Sequence, residues 1–174
     1  MTKAHRPASR GLMLLSIRPR YVSAILSGAK TIELRRTCPK VSAGQPVAIY
    51  ATSPLSAVVA TCTVTKIEMK DPGTLKSTAV CAAAVSEAEY DTYFDGASRA
   101  VAIHLENVVA LHDPVTLRDM RGNHGTFQPP QSWHFLDEAQ LSRLVRGHVA
   151  HRALAHMLGT HPTSTSRAIG SCDS

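Results

Sequence analysis

Residues 28–35 read GAKTIELR and form the most informative stretch of the sequence for the fold. Gly28 suits the end of a helix, because glycine readily adopts the left-handed conformation that closes many helices. From residue 31 to residue 36 the side chains alternate, with two aliphatic residues on one face and charged residues on the other. The stretch therefore predicts a helix end, a lysine at the junction, and a half-buried strand whose open face carries Glu33 beside Arg35.

Further strands are predicted on both sides of this stretch. A continuously apolar segment precedes it, and segments rich in Val, Ile, Thr and Tyr follow it. The predicted strands are residues 12–17, 47–52, 57–69 and 99–111, the last with a possible turn at Glu106-Asn107. Together with residues 31–36 they make about five strands.

Helices are predicted where capping signals meet apolar residues. One begins at Pro19 and runs for about two turns. Another spans residues 86–94, because Ser86 and Glu89 form a capping box. A third begins after Asp137 and is interrupted near Gly147. Residues 75–85 are predicted to form either a loop or a weak helix, and residues 112–130 are predicted to be rich in loops. Many short strands with few helices favour an α+β fold, a small mixed or mostly antiparallel barrel with flanking helices.

The chain has 174 residues, enough for one domain. We expect that domain to span residues 11–158, with a disordered basic segment at residues 1–10 and a disordered tail at residues 159–174. No apolar run approaches the about 18 residues of a membrane span, and the apolar stretch near the N-terminus is too short for a signal peptide. We therefore expect a cytoplasmic protein that does not enter a membrane. The four cysteines are widely spaced and indicate neither a zinc knuckle nor a disulfide framework.

Positive charge is concentrated at the start of the chain. The net charge is +6, yet residues 1–40 hold nine Lys and Arg residues and a single acid, Glu33. A basic surface of this kind is typical of a protein that meets phosphate groups, although a solvated basic face gives the same count.

Four segments, in this order, resemble the ASCH domain family: Ser16-Ile17-Arg18-Pro19, Gly28 to Arg35, Tyr50-Ala51-Thr52-Ser53-Pro54, and Pro129-Pro130-Gln131-Ser132. The resemblance covers about residues 12–136 and is most specific at residues 28–35. It implies a small PUA-like β-barrel of about five or six strands with flanking helices, a fold found in RNA-modification proteins. It also implies a cleft between the barrel and the first helix, lined by the Gly-x-Lys-Thr strand, that holds a nucleic acid or a nucleobase.

The first functional hypothesis is a module that binds RNA or a modified nucleobase. Arginines and Lys30 would attract the backbone, and Tyr50 would stack on an unpaired base unless it simply packs in the sheet. Ser53 would contact a phosphate or base edge, although Ser-Pro is also a turn signal. The expected binding residues are Ser16, Arg18, Arg20, Lys30, Arg35, Arg36, Tyr50, Ser53 and Gln131.

The second hypothesis is a hydrolase, since some ASCH proteins resemble amidohydrolases of N4-acylated cytidines and others are similar to ribonucleases. If the chain is an enzyme, the expected catalytic residues are Lys30, Glu33 and Tyr50. In the amidohydrolase pattern a threonine follows the lysine by three positions, whereas Glu33 stands there, and alanines around Ala83 stand where a glutamate is sought. Strict alternation also places Lys30 on the opposite face of the strand from Glu33, unless Lys30 lies just before the strand begins. A third class, a transcription-linked interaction domain, rests on family-level naming alone.

Neither a metal nor a cofactor is expected. His148, His151 and His156 lie in the last predicted helix, but no carboxylate flanks them in a zinc-binding pattern. Mixed with arginines, they indicate a basic helix face. The acids of the helix at residues 86–94 indicate a face that avoids phosphate. The expected partner is RNA or a nucleoside ligand, and the oligomeric state is not predicted.

Overall fold

The computed structural model describes residues 11–159, so the predicted disordered segments lie outside the described residues except for Gly159. Within that range six strands and six helices follow one another: β1 (Leu12–Ile17), α1 (Pro19–Leu26), β2 (Ile32–Arg35), β3 (Gln45–Ala51), β4 (Ala57–Lys70), α2 (Pro72–Ala82), α3 (Glu87–Phe94), β5 (Ala100–Thr116), α4 (Leu117–Asn123), β6 (Trp133–Leu136), α5 (Glu138–Leu144) and α6 (His151–Gly159). No helix among residues 11–159 is both long and apolar enough to cross a membrane.

The strands form one mixed sheet in the order β2-β5-β4-β3-β1-β6. Only β1 and β3 are parallel, and the other neighbours are antiparallel. The α+β class and the strand number are confirmed, but the predicted barrel is not closed, because β2 and β6 are sheet edges. Each edge strand is only four residues long. The sheet is nevertheless strongly curved, since Arg35 Nη2 on β2 reaches the carbonyl oxygen of Ser16 on β1 at 2.7 Å. Register shifts along β4 and β5 are bulges of the kind that increase twist.

Both faces of the sheet are covered, which is why β1 is apolar at nearly every position. On one face, Met13, Leu15 and Ile17 pack with α1 in the first core cluster. On the other, Leu12 and Leu14 pack with α4, α5 and α6 in the second. A third cluster joins β2 to α2 and α3. Helices therefore cover the sheet on both faces.

Two stretches differ from the sequence prediction. Residues 72–82 form a full helix, because Asp71 caps it by accepting from the Thr74 N–H and its apolar side buries Leu75 and Ala79. The predicted loop at residues 112–114 is wrong, since β5 continues to Thr116. In this strand the predicted turn is a local bend, where Asn107 has a φ of 54°.

The rest of the loop-rich stretch holds α4 and β6. A capping box between Thr116 and Asp119 starts α4, and Met120 is buried in the second cluster. The interruption at Gly147 is confirmed, since Gly147, with a φ of 74°, lies between the end of α5 and the start of α6. The capping box of α3 is also confirmed. Local sequence signals thus predicted most helices and strands, and the elements that they missed depend on packing against residues distant in sequence.

Candidate functional site

A cleft of about 970 Å³ opens where the curved sheet brings β2 towards β1. Its walls are the end of β1, α1, β2 and the following residues, α3, and the segment before β6. Five cationic side chains and two carboxylates line it. They are Arg18, Arg20, Lys30, Arg35 and Arg36, with Glu33 and Glu89. We call this opening the cleft.

Lys30 is held at the floor of the cleft by three elements. Gly28, with a φ of 78°, ends α1, and the Lys30 N–H then donates to the Ala24 carbonyl at 2.9 Å. The Lys30 ammonium donates to the carbonyl of Ala83 at 2.8 Å, at the carboxyl end of α2, where the helix dipole favours a cation. It also lies 3.2 Å from Glu33 Oε2. Lys30 therefore precedes the strand and faces Glu33.

Glu33 lies between two cations. Its Oε1 is 3.0 Å from Arg35 Nη1, and its Oε2 faces Lys30. The side chains of Lys30 and Glu33 are only 2% and 6% exposed, so the expectation of an open strand face for Glu33 is wrong. Burial lowers the pKa of Lys30, and the charge of Glu33 offsets part of that effect. The arrangement is a desolvated charge cluster with one cation in excess.

Arg35 joins this cluster to β1. Its Nη2 donates to the Ser16 carbonyl at 2.7 Å, and the Ser16 hydroxyl donates to the Pro130 carbonyl at 2.6 Å. The buried Nε of Arg35 has no hydrogen-bond partner among residues 11–159. These side-chain contacts set the width of the cleft. In a closed barrel, backbone hydrogen bonds between the two edge strands would do so.

The mouth of the cleft has paired and unpaired arginines. Arg20 Nη1 lies 2.8 Å from Glu89 Oε1 on α3, and its guanidinium lies 4.4 Å from the ring centre of Tyr21. Arg36 donates to the backbone carbonyl of Asp95 at 3.0 Å. In the described part of the chain, neither Arg18 nor Arg36 has a carboxylate within ion-pair distance. These two arginines are therefore available to an anionic ligand. Although α3 is acidic, it forms a wall of the cleft, and Arg20 neutralises the carboxylate that faces inwards.

The structure brings most of the predicted site residues together in the cleft: Ser16, Arg18, Arg20, Lys30, Glu33, Arg35, Arg36 and Gln131. It does not bring Tyr50 there. Tyr50 is 3% exposed and packs in the second core cluster, outside the lining of the cleft. Ser53 also lies outside the lining, in the exposed turn between β3 and β4, while Thr52 reaches the cleft.

Two aromatic side chains of the cleft were not among the site residues predicted from the sequence. Tyr21 lies with its ring centre 4.9 Å from Lys30 Nζ, and Tyr93 lines the cleft from α3 with 40% of its surface exposed. For Tyr21, the available signal in the sequence was its position next to Arg20. Nothing local distinguishes Tyr93 from a packing residue.

The histidines of the C-terminal region lie elsewhere. His148 follows α5 and lies 3.8 Å from Asp113, and His151 contacts Ser142. Within residues 11–159, no group of three or more His, Cys, Asp or Glu side chains is placed to hold a metal ion.

Comparison with known proteins agrees with this architecture. The family pattern of the ASCH domain matches residues 15–112. A protein of Zymomonas mobilis subsp. mobilis described as an ASCH domain-containing ribonuclease is 33% identical over 132 residues, which is 76% of this chain and 88% of that protein.

Crystal structures show the same relationship. The structure of ASCH from Zymomonas mobilis is 33% identical and superposes with a TM-score of 0.72 over 78% of this chain and 94% of that one. A mutant of that protein with a tyrosine replaced by phenylalanine gives the same TM-score at 32% identity, over 78% of this chain and 97% of that one. The cleft is thus set in a sheet that this relative shares, and the chain belongs to the ASCH domain family.

Proposed function

We propose that the cleft binds a segment of single-stranded RNA. The observation that carries this proposal is the excess of cations in the cleft, five against two carboxylates. Glu33 and Glu89 each have a cationic partner, which leaves Arg18 and Arg36 for phosphate oxygens. Guanidinium groups bind phosphate well because two of their N–H groups can donate in parallel.

The shape of the cleft favours single strands over duplexes. A volume of about 970 Å³ suits one or a few unstacked nucleotides. Proteins that read single-stranded RNA stack its bases on aromatic rings or on guanidinium planes. Tyr93 offers an exposed ring, and Arg20 presents a guanidinium already oriented by Glu89. Tyr93 therefore takes the stacking role that the sequence analysis gave to Tyr50.

The test is fluorescence anisotropy of an end-labelled single-stranded RNA with Arg18→Ala, Arg36→Ala and a matched control. Arg118→Ala is that control, because it removes the same charge from α4 outside the cleft. We expect each cleft variant to lower affinity and to reduce the slope of log K against log salt by about one. Equal behaviour of all three variants would refute the site. Binding of a free nucleoside without RNA binding would reassign the cleft to small ligands.

Cleavage of the bound RNA is a second candidate, favoured by the relative described as a ribonuclease and by the geometry of Lys30. The described residues occupy two of the three ammonium donors, with Ala83 and Glu33 as acceptors. The third can meet charge that develops on a phosphate.

A balanced step is available to these residues. The RNA 2′-oxygen attacks phosphorus, its proton passes to Glu33, the bond from phosphorus to the 5′-oxygen breaks, and Lys30 protonates that oxygen. A 2′,3′-cyclic phosphate and a 5′-hydroxyl result, and Glu33 then returns a proton to Lys30 across 3.2 Å.

Cleavage is tested by gel analysis of the same RNA in EDTA. We expect Lys30→Met to abolish cleavage and a 2′-deoxy substitution at the cut site to block it. Cleavage that persists in Lys30→Met, or that EDTA stops, would refute this step. The amidohydrolase alternative gains no support, since Ala83 offers only its carbonyl and Glu33 holds the place of the threonine.

A further inference from the structure

A second groove, of about 310 Å³, lies on the other side of the segment that borders the cleft. Pro130 lines this groove, whereas Gln131 and Ser132 line the cleft. We propose that the groove is a second binding site for the same RNA strand, one that takes the nucleotides flanking those in the cleft. This proposal rests on the proposed function.

The segment between the two openings is rigidly fixed. The Ser16 hydroxyl holds the Pro130 carbonyl at 2.6 Å, and the Ser16 N–H donates to the Ser132 carbonyl at 2.9 Å. Two residues of chain span at most about 7 Å. A flexible strand that leaves the cleft over Gln131 therefore enters the groove at once.

The walls of the groove are also fixed before any ligand arrives. Arg121 donates to the Phe127 carbonyl at 3.1 Å and to the Gln128 side chain at 2.9 Å, which pins the loop after α4. Asn123 donates to the carbonyls of Leu144 and Arg146, which ties the end of α4 to the end of α5. A fixed groove costs little ordering on binding, as expected of a recognition surface.

The chemistry of the groove suits nucleotides. Arg143 lines it, is exposed, and has no carboxylate partner among residues 11–159. His124, His134 and Gln128 add donors, and the half-buried ring of Phe127 gives a surface for a base. Among the described residues, no carboxylate lines the groove. An arginine with uncompensated charge, beside an aromatic ring and continuous with a cationic cleft, fits a phosphodiester strand.

The test compares two labelled 2′-O-methyl oligouridylates, which bind without being cleaved, one of about 4 and one of about 12 nucleotides. The wild-type protein is expected to bind the longer one more tightly. Arg143→Ala should lower affinity for the longer oligomer about tenfold, the loss of one charge-assisted hydrogen bond, and leave the shorter one unchanged. Arg146→Ala is the matched control, because Arg146 is also exposed, lies three residues away, and is outside both openings.

The outcomes separate the two proposals. If the shorter oligomer binds and the gain with length persists in Arg143→Ala, the second site is refuted and the cleft stands. If Arg146→Ala lowers the affinity as much as Arg143→Ala, the effect is general charge and the second site is again refuted. If the wild-type protein binds neither oligomer, the proposed function fails and the second site fails with it.

Discussion

Replacing Glu33 with glutamine tests whether the charge cluster at the cleft floor is as desolvated as the geometry indicates. Glutamine keeps the shape but removes the charge, and its NH₂ group must face a cation that also donates. Breaking a buried pair by removing one partner costs about 3–5 kcal/mol, against about 0–1 for a surface pair. The side chains of Glu33 and Lys30 are 6% and 2% exposed, so the cost for a buried pair applies. The side chain of Arg35 is 15% exposed, so we take the lower end of that cost.

We therefore expect Glu33→Gln to lose about 3 kcal/mol of unfolding free energy at neutral pH, which corresponds to a drop in Tm of about 6–12 °C for a chain of this size. The loss has a defined pH dependence. Burial already lowers the pKa of Lys30, and without Glu33 it falls further. The unfolded chain then binds a proton that the folded variant lacks, so the variant gains stability relative to wild type as pH rises towards 10.5, the ordinary lysine value.

The assay is urea denaturation followed by circular dichroism, at several pH values, for Glu33→Gln, Lys30→Met and the double variant. The double variant should be more stable than the sum of the single losses by at least about 1 kcal/mol, because it leaves no uncompensated lysine. A loss below about 1 kcal/mol in Glu33→Gln, independent of pH and additive with Lys30→Met, would show that water screens the cluster.

Three further predictions concern other parts of the molecule. Gly11→Ala should cost about 1–3 kcal/mol in thermal or urea melts, because its Cβ would lie 1.9 Å from the Leu136 carbonyl oxygen, while Gly122→Ala in α4 should cost nothing. Tyr93→Leu should weaken single-stranded RNA binding at least about fivefold, with Tyr93→Phe near wild type in the same anisotropy assay; loss in both would argue against stacking. The pKa of Glu68 is lowered from 4.5 to about 2 by hydrogen bonds from neighbouring lysines, Lys70 foremost, and from a histidine. The contribution of Glu68 to stability is therefore present above pH 4.5 and disappears as pH falls towards 2. In acid melts at low salt, the advantage of wild type over Glu68→Gln should vanish across that window; a constant difference would contradict it.

Sequence reasoning succeeded where structure is decided by near neighbours. The Ser86 capping box, the helix end at Gly28 and the break at Gly147 are each set by a few adjacent residues, and the structure has all three. The predicted basic residues Arg18, Arg20, Lys30, Arg35 and Arg36 also line one cleft, since the resemblance pointed to segments that the curved sheet brings together, and their role in binding stays a prediction.

It failed where a distant contact decides. Tyr50 sits in a strand that is buried at every position, and no local pattern shows that its side chain packs in the second core cluster and not in the lining of the cleft. The alternation of residues 31–36 placed Glu33 in solvent, because Lys30, which contacts Glu33 and is itself held by the Ala83 carbonyl, lies outside the strand. The approach of β2 to β1 in the open, curved sheet likewise depends on Arg35 reaching the Ser16 carbonyl, a contact that no local pattern contains.

The pairing of the first strand with the last has a consequence for synthesis on the ribosome. Ser16 and Pro130, which join β1 to the border of the cleft, are 114 residues apart in sequence. Until residues 130–136 leave the exit tunnel, one edge of β1 is bare and the cleft lacks a wall. Contacts so distant in sequence also form slowly. The cleft of a nascent chain is therefore incomplete while the chain is still emerging, and most of the described residues must be made before the cleft exists.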